Sequence, residues 1–384
     1  MNQAMRAVVL SRPGRLEVRD VPRPDCGPRD VLVRPEAIGL CGTDFHIYSG
    51  EANYHRDDQG APVPLETSPQ ILGHEITGVI EEVGARVGDL HPGERVVLDQ
   101  GLNCNSVARD TLCEYCATGD SHQCEDFREH GISGLAGGLA EAIAIPALNA
   151  IKLGTDLEPA LAAITEPLAC VLHSCDMLRA SRTRYRLEPE DETQRIRTAL
   201  ICGAGPAGLL WVQVLRRVLD FQGDVVVSEP DPKKRQLAAS FGAHTVDPMT
   251  EDLVAALAER THGRRAEMLV DASGSGPLFL QIPGLVRKQS TLLLYGHGHA
   301  GVGMEALNQV QWAEPNLLSP VGASGGFDAD GRPTIYRQAL GLIESAAIDV
   351  SSLVTHRYAG LEAVPDAFGG GHRETGYVKG VALV

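Results

Sequence analysis

Residues Gly203-Ala204-Gly205-Pro206-Ala207-Gly208 spell G-x-G-x-x-G between an apolar run, Ala199-Leu200-Ile201-Cys202, and a helical stretch from Leu209 to Leu219. A strand that enters a helix through such a turn belongs in a parallel sheet covered by helices on both faces. The glycines permit the tight turn, let the backbone approach a pyrophosphate, and bring helix close to strand. The helix N-terminus turns N–H groups and the positive end of its dipole towards phosphates. Downstream, Asp224-Val225-Val226-Val227, Met268-Leu269-Val270 and Thr291-Leu292-Leu293-Leu294 read as further buried strands, with helix-like segments between them. That alternation predicts an α/β unit. Glu229 stands at the end of the second strand. A carboxylate there accepts hydrogen bonds from both ribose hydroxyls of NAD and repels the 2′-phosphate of NADP. Lys233, Lys234 and Arg235 pull the other way, because cations could hold that phosphate. The balance favours NAD.

Residues 1–150 have a different texture. Short runs such as Val31-Leu32-Val33 and Arg95-Val96-Val97-Leu98 are punctuated by Gly and Pro, which predicts a mostly β region. A chain of 384 residues is long for one core and suits two domains. Residues 180–197, rich in Arg and Glu, read as a surface insertion. No stretch reaches the roughly 18 apolar residues that would span a bilayer. The first residues lack the apolar region of a signal peptide. Together these predict a cytoplasmic protein without a membrane partner. The net charge of -16 disfavours nucleic acid and anionic membranes, which bind cationic surfaces.

Nine cysteines, an odd number, argue against a disulfide framework. Cys113-Glu114-Tyr115-Cys116 followed by Cys124 has the spacing of a structural zinc lobe. Zinc takes four ligands, so a fourth is needed. Cys104 offers the softer donor, across a loop of unknown reach, and Asp110 lies closer in sequence. Cys41, His74 in Gly73-His74-Glu75, and Glu166 in Thr165-Glu166-Pro167-Leu168 are candidate ligands of a second zinc. An open zinc beside a dinucleotide site suits hydride transfer to or from an alcohol.

Taken together, Leu40-Cys41-Gly42-Thr43-Asp44-Phe45-His46, Gly73-His74-Glu75, Thr165-Glu166-Pro167-Leu168, the cysteine lobe, the Gly203–Gly208 turn and the closing Gly376-Tyr377-Val378-Lys379 resemble the zinc-dependent medium-chain alcohol dehydrogenase family. Cys41 to Tyr48 is most similar to the threonine and polyol (sorbitol-type) branch. The resemblance implies an α/β protein with a GroES-like, mostly-β catalytic domain at 1–170, its zinc lobe at 100–127. A Rossmann doubly wound parallel sheet at 171–324 would bind NAD, and 325–384 would return to the catalytic domain. It further implies a catalytic zinc held by Cys41, His74 and a carboxylate. In the polyol-like branch Glu166 is that ligand, with Glu75 close by, coordinating directly, alternately or through water. Thr43 would hydrogen-bond the alcohol and pass its proton on, with His46 as the exit. The substrate would be a secondary alcohol or its ketone on a polar molecule: a polyol, a sugar or cyclitol derivative, or a threonine-like amino alcohol. Two rival readings are an NADP-dependent alcohol or aldehyde reductase and a non-catalytic zinc- and nucleotide-binding redox sensor. A sensor has no need of Thr43 beside an open metal. The family also implies a homodimer or homotetramer. Asn53–Thr67 is longer than usual in the family, and loops near a site often set specificity.

Overall fold

The computed structural model describes residues 4–384, which divide into two compact units. One comprises the described residues through Ala169 with Ala323–Ala346 and Val354–Val384; the other comprises Cys170–Gly322 and Ala347–Leu353.

The first unit is built on a seven-stranded sheet. Strand Asp30–Leu40 pairs antiparallel with Glu75–Val83 on one side and with Lys379–Leu383 on the other. The C-terminal strand therefore lies against the end of Asp30–Leu40, where Gly380 faces Leu40 and Gly39 faces Glu75. A smaller sheet orders Arg15–Pro22, Ala4–Arg12 and Gln70–Ile71. Aliphatic side chains such as Val31, Val33, Ile76 and Ile80 fill the core.

The second unit is a six-stranded parallel sheet. From edge to edge it runs His244–Val246, Asp224–Ser228, Thr198–Cys202, Ala266–Asp271, Val286–Leu294 and Asn316–Leu318. This is the doubly wound 3-2-1-4-5-6 order, whose ligand crevice opens at the C-terminal ends of the strands. Thr198–Cys202 is buried along its whole length, as a strand covered on both faces must be. The helical stretch after the glycine turn has two parts: an α-helix, Pro206–Gln213, and a π-helical turn, Val214–Val218.

Two expectations change here. Residues 159–180 are apolar and long enough to cross a membrane, with mean hydropathy 1.3 over their best window. Yet 72% of that window is buried inside the protein, which is how a core helix uses such a sequence. The 180–197 segment is mostly at the surface but anchored inward by Tyr185 and Ile196, both buried.

Candidate active site

Cys41 ends the strand Asp30–Leu40 and caps the helix Gly42–Ser49. Its backbone N–H donates to Asp44 Oδ2 at 2.9 Å, closing a capping box three residues ahead. Asp44 is fully buried, and its other oxygen reaches a second loop. Oδ1 accepts the Gly73 N–H at 3.1 Å and lies 3.4 Å from His74 Nδ1. One side chain thus joins the two loops that carry Cys41 and His74. Gly73 has φ +89, and a Cβ there would lie 2.8 Å from Ile38, so the turn ahead of His74 is open to glycine alone.

Glu75 begins the next strand, opposite Gly39. A Cβ on Gly39 would sit 1.9 Å from Glu75 Oε2, so this glycine makes the room the carboxylate occupies. Lys379 Nζ pairs with Glu75 Oε1 at 2.5 Å, and both groups are buried. Burial opposes charge on Lys379, but Glu75 and Cys41 outweigh it and hold its pKa above the usual lysine value. Burial likewise opposes charge on the His74 ring, and Asp44 and Cys41 hold it well above the usual imidazole range. The local field favours positive charge.

Donor atoms of Cys41, His74 and Glu75 lie within 4.8 Å of one another. Glu75 Oε2 is buried and has no hydrogen-bond partner among the described residues. A thiol, an imidazole and a carboxylate with an orphaned oxygen fit a zinc ion. Glu166 is outside this group. It sits in the first turn of helix Thr165–Ala180, where its Oε1 accepts from Gln100 Nε2 at 3.3 Å. Thr43 Oγ1 lies 3.8 Å from Cys41 Sγ. His46 sits in the last turn of the same helix as Thr43, at the surface, with Nδ1 2.7 Å from Glu51.

Sequence reasoning passed over three residues around this group: Asp44, Gly39 and Lys379. Asp44 alone left a local trace, as the acid three residues after a helix cap. The others depend on strand register or on loops that meet only in the fold.

In the cysteine lobe, the thiols of Cys104, Cys113, Cys116 and Cys124 come within 4.8 Å of one another. Cys104 Sγ is 3.6 Å from Cys124 Sγ. The fourth member is therefore Cys104 and not Asp110, which stays exposed on the intervening loop. Backbone N–H groups of Cys116 and Glu125 bring the Cys113 thiol down to about 6. Four converging sulfurs fit a structural zinc.

The three glycines of the nucleotide turn differ in backbone angle and in what surrounds them. Gly203 has φ +99, and its N–H donates to Ser228 O at 2.8 Å. Gly208 packs so closely that a Cβ would lie 2.0 Å from Gly203 O. Gly205 caps the helix, and a Cβ there would meet nothing within 4 Å, which leaves the space a pyrophosphate needs. Glu229 Oε2 accepts the Ala204 N–H at 2.7 Å and Oε1 accepts the Asp231 N–H at 2.9 Å, so the carboxylate is fixed beside the turn. Arg235 donates to the Glu229 and Pro230 carbonyls and pairs with Asp247 at 2.9 Å. Its guanidinium is held by protein groups at that strand end.

The chain is similar to known dehydrogenases over nearly its whole length. Residues 27–155 match the alcohol dehydrogenase GroES-like domain, and residues 206–342 match the zinc-binding dehydrogenase domain. The chain is 30% identical to the L-threonine 3-dehydrogenase of Thermococcus kodakarensis over 372 residues, covering 96% of this chain and 95% of that protein. The enzyme of the same name from Pyrococcus horikoshii is 28% identical, again with 96% and 95% covered. A structure described as a zinc-binding dehydrogenase from Sinorhizobium meliloti bound to NADP superposes with TM-score 0.77 at 29% identity, with 100% of both chains covered. Galactitol-1-phosphate dehydrogenase from Escherichia coli shares the fold, with TM-score 0.78 at 22% identity and 99% and 100% covered.

Proposed function

Since the chain belongs to the zinc-dependent medium-chain alcohol dehydrogenase family, we propose that it interconverts a secondary alcohol of a polar substrate and the matching ketone, with NAD as hydride carrier. The observation that carries this reading is the Cys41, His74 and Glu75 group with its orphaned Oε2, in the same chain as a glycine turn that leaves room at Gly205. Bound zinc would supply Lewis acidity towards the alcohol oxygen, and bound nicotinamide would accept the hydride. Cys41, His74 and Glu75 are the proposed ligands of that zinc, and Cys104, Cys113, Cys116 and Cys124 those of a structural one.

The remaining steps belong to the protein's own side chains. Asp44 holds the Cys41 and His74 loops in register, so the donors need no rearrangement on binding. Thr43 accepts the alcohol proton in a relay, and His46, paired with Glu51 at the surface, hands it to water. Glu229 orients the adenosine ribose, and its charge disfavours a 2′-phosphate. Arg235 is already tied to Asp247 and two carbonyls, which supports NAD over NADP. We also propose a homodimer or homotetramer, on the strength of family membership.

A panel of polyols, cyclitols, sugar alcohols and amino alcohols, read by reduced-nicotinamide absorbance with each cofactor, tests the reading. At least one secondary alcohol should turn over, with the higher kcat/KM on NAD. A higher kcat/KM with NADP would overturn the cofactor assignment. Nucleotide binding without turnover on any member would favour the sensor.

A further inference from the structure

The loop that follows strand Val286–Leu294 reads Tyr295-Gly296-His297-Gly298-His299-Ala300-Gly301. Three glycines in seven residues give a segment with much conformational freedom, which needs anchors if it is to hold one shape. Asp271 supplies them, from the C-terminal end of the adjacent parallel strand Ala266–Asp271. Its backbone carbonyl accepts the Tyr295 N–H at 3.0 Å and the Gly296 N–H at 2.7 Å. Its carboxylate is fully buried and divided between two segments. Oδ1 accepts the Ser273 N–H at 3.0 Å, the Ser273 hydroxyl at 2.7 Å and the Gly274 N–H at 3.1 Å. Oδ2 faces His299 Nε2 at 2.7 Å.

His299 is held from two further directions. Its N–H donates to Gly274 O at 2.8 Å, and Phe279 of helix Gly276–Leu285 meets the imidazole edge-on, with 5.9 Å between ring centroids. Its φ is +21, a conformation that residues with side chains seldom adopt. Residues that their surroundings keep in such conformations gather at ligand clamps. The loop also lies flush on the turn ahead of that helix. A Cβ on Gly274 would overlap His297 O, and one on Gly276 would overlap Ala300 O.

The Asp271 and His299 pair stands beside the nucleotide turn. Asp271 is the register partner of Cys202, the residue before Gly203, and a Cβ on Gly203 would lie 3.2 Å from Ser273 N. In a sheet of this order each half takes one mononucleotide, in the crevice at the carboxyl ends of the strands. The Gly203–Gly208 turn and Glu229 belong to the half that takes the adenosine, whereas Asp271 and His299 belong to the other half.

We infer that His299, latched to Asp271, is a positioning residue for the nicotinamide mononucleotide half of the dinucleotide, because it fixes the loop of residues 295–301 as a preformed wall of that half. The inference rests on the dinucleotide-binding reading of this unit. Without the imidazole, one oxygen of a buried carboxylate loses its donor, and the loop keeps only its backbone anchors. Ordering the loop must then be drawn from the binding energy of the nicotinamide half. The adenosine half bears no such cost.

The test is calorimetric titration of NAD and of AMP into the zinc-loaded full-length enzyme. His299→Ala should raise the Kd for NAD about tenfold, the weight of one charge-assisted hydrogen bond. The Kd for AMP should not change. His299→Gln, whose amide can still donate to Asp271, should recover most of the loss. An unchanged Kd for NAD in His299→Ala would overturn the inference. So would an equal loss for NAD and AMP, which a general loosening of the unit predicts, or a His299→Gln variant as weak as His299→Ala. Those three results would leave the dinucleotide reading standing. Wild-type enzyme that binds neither nucleotide would overturn that reading and the latch with it.

Discussion

Asp44 and Lys379 show how few side chains build the proposed metal centre. Asp44 contacts both ligand-bearing loops, and Lys379 neutralises one oxygen of Glu75 while the other has no hydrogen-bond partner among the described residues. Removing one member of a buried pair costs about 3–5 kcal/mol because the other charge is left alone. Two carboxylates compete for the ligand role, and they separate experimentally. Glu75→Gln should lose the zinc of this centre on dialysis, whereas Glu166→Gln should keep it, as read by elemental analysis. Zinc lost from Glu166→Gln and kept in Glu75→Gln would reverse the assignment. Residue identities alone named both acids as candidates. The family resemblance put Glu166 first with Glu75 close by, whereas the register that sets Glu75 against Gly39 and Lys379 appears only in the fold.

The glycine turn is where sequence and structure agree most closely, since its demands are local. A positive φ, an open approach and a tight helix contact all fall within six residues. The turn therefore makes a divided prediction. Gly205→Ala should leave urea-unfolding stability within about 0.5 kcal/mol and raise the Kd for NAD about tenfold, equal to about 1.4 kcal/mol. Gly208→Ala, whose Cβ meets Gly203 O, should instead cost about 2 kcal/mol of stability, as overpacking does. If both variants lost stability equally, the space beside Gly205 would not be a ligand cradle. The parallel strands were legible for a similar reason: each is a short apolar run that must be covered on both faces. The π-helical end of the helix after the turn was not legible. Apolar periodicity does not register a single wide turn.

At the scale of the whole molecule, distant segments complete the first unit. The returning chain is fastened by Arg332, which is buried and donates to Ala150 O at 2.8 Å while pairing with Asp89 at 2.6 Å. The lobe region is fastened to it as well, through the Ala323 N–H to His122 contact. Within the lobe, Cys104 reaches three thiols across a loop that no spacing rule describes. Cys104→Ser should bind one zinc fewer per chain and unfold at lower temperature, and Asp110→Asn should match wild type in both. Equal zinc loss in the two variants would restore Asp110 as a ligand. Residue order alone was enough for the α/β unit, the two candidate metal clusters and the family, because those depend on apolar patterning and on donor types within short motifs. It took the folded chain to show that Cys104 joins the lobe and that Glu75 and not Glu166 groups with Cys41 and His74. Each of those outcomes depends on where loops and strands far apart in the chain are brought together, and short-range spacing carries no record of that.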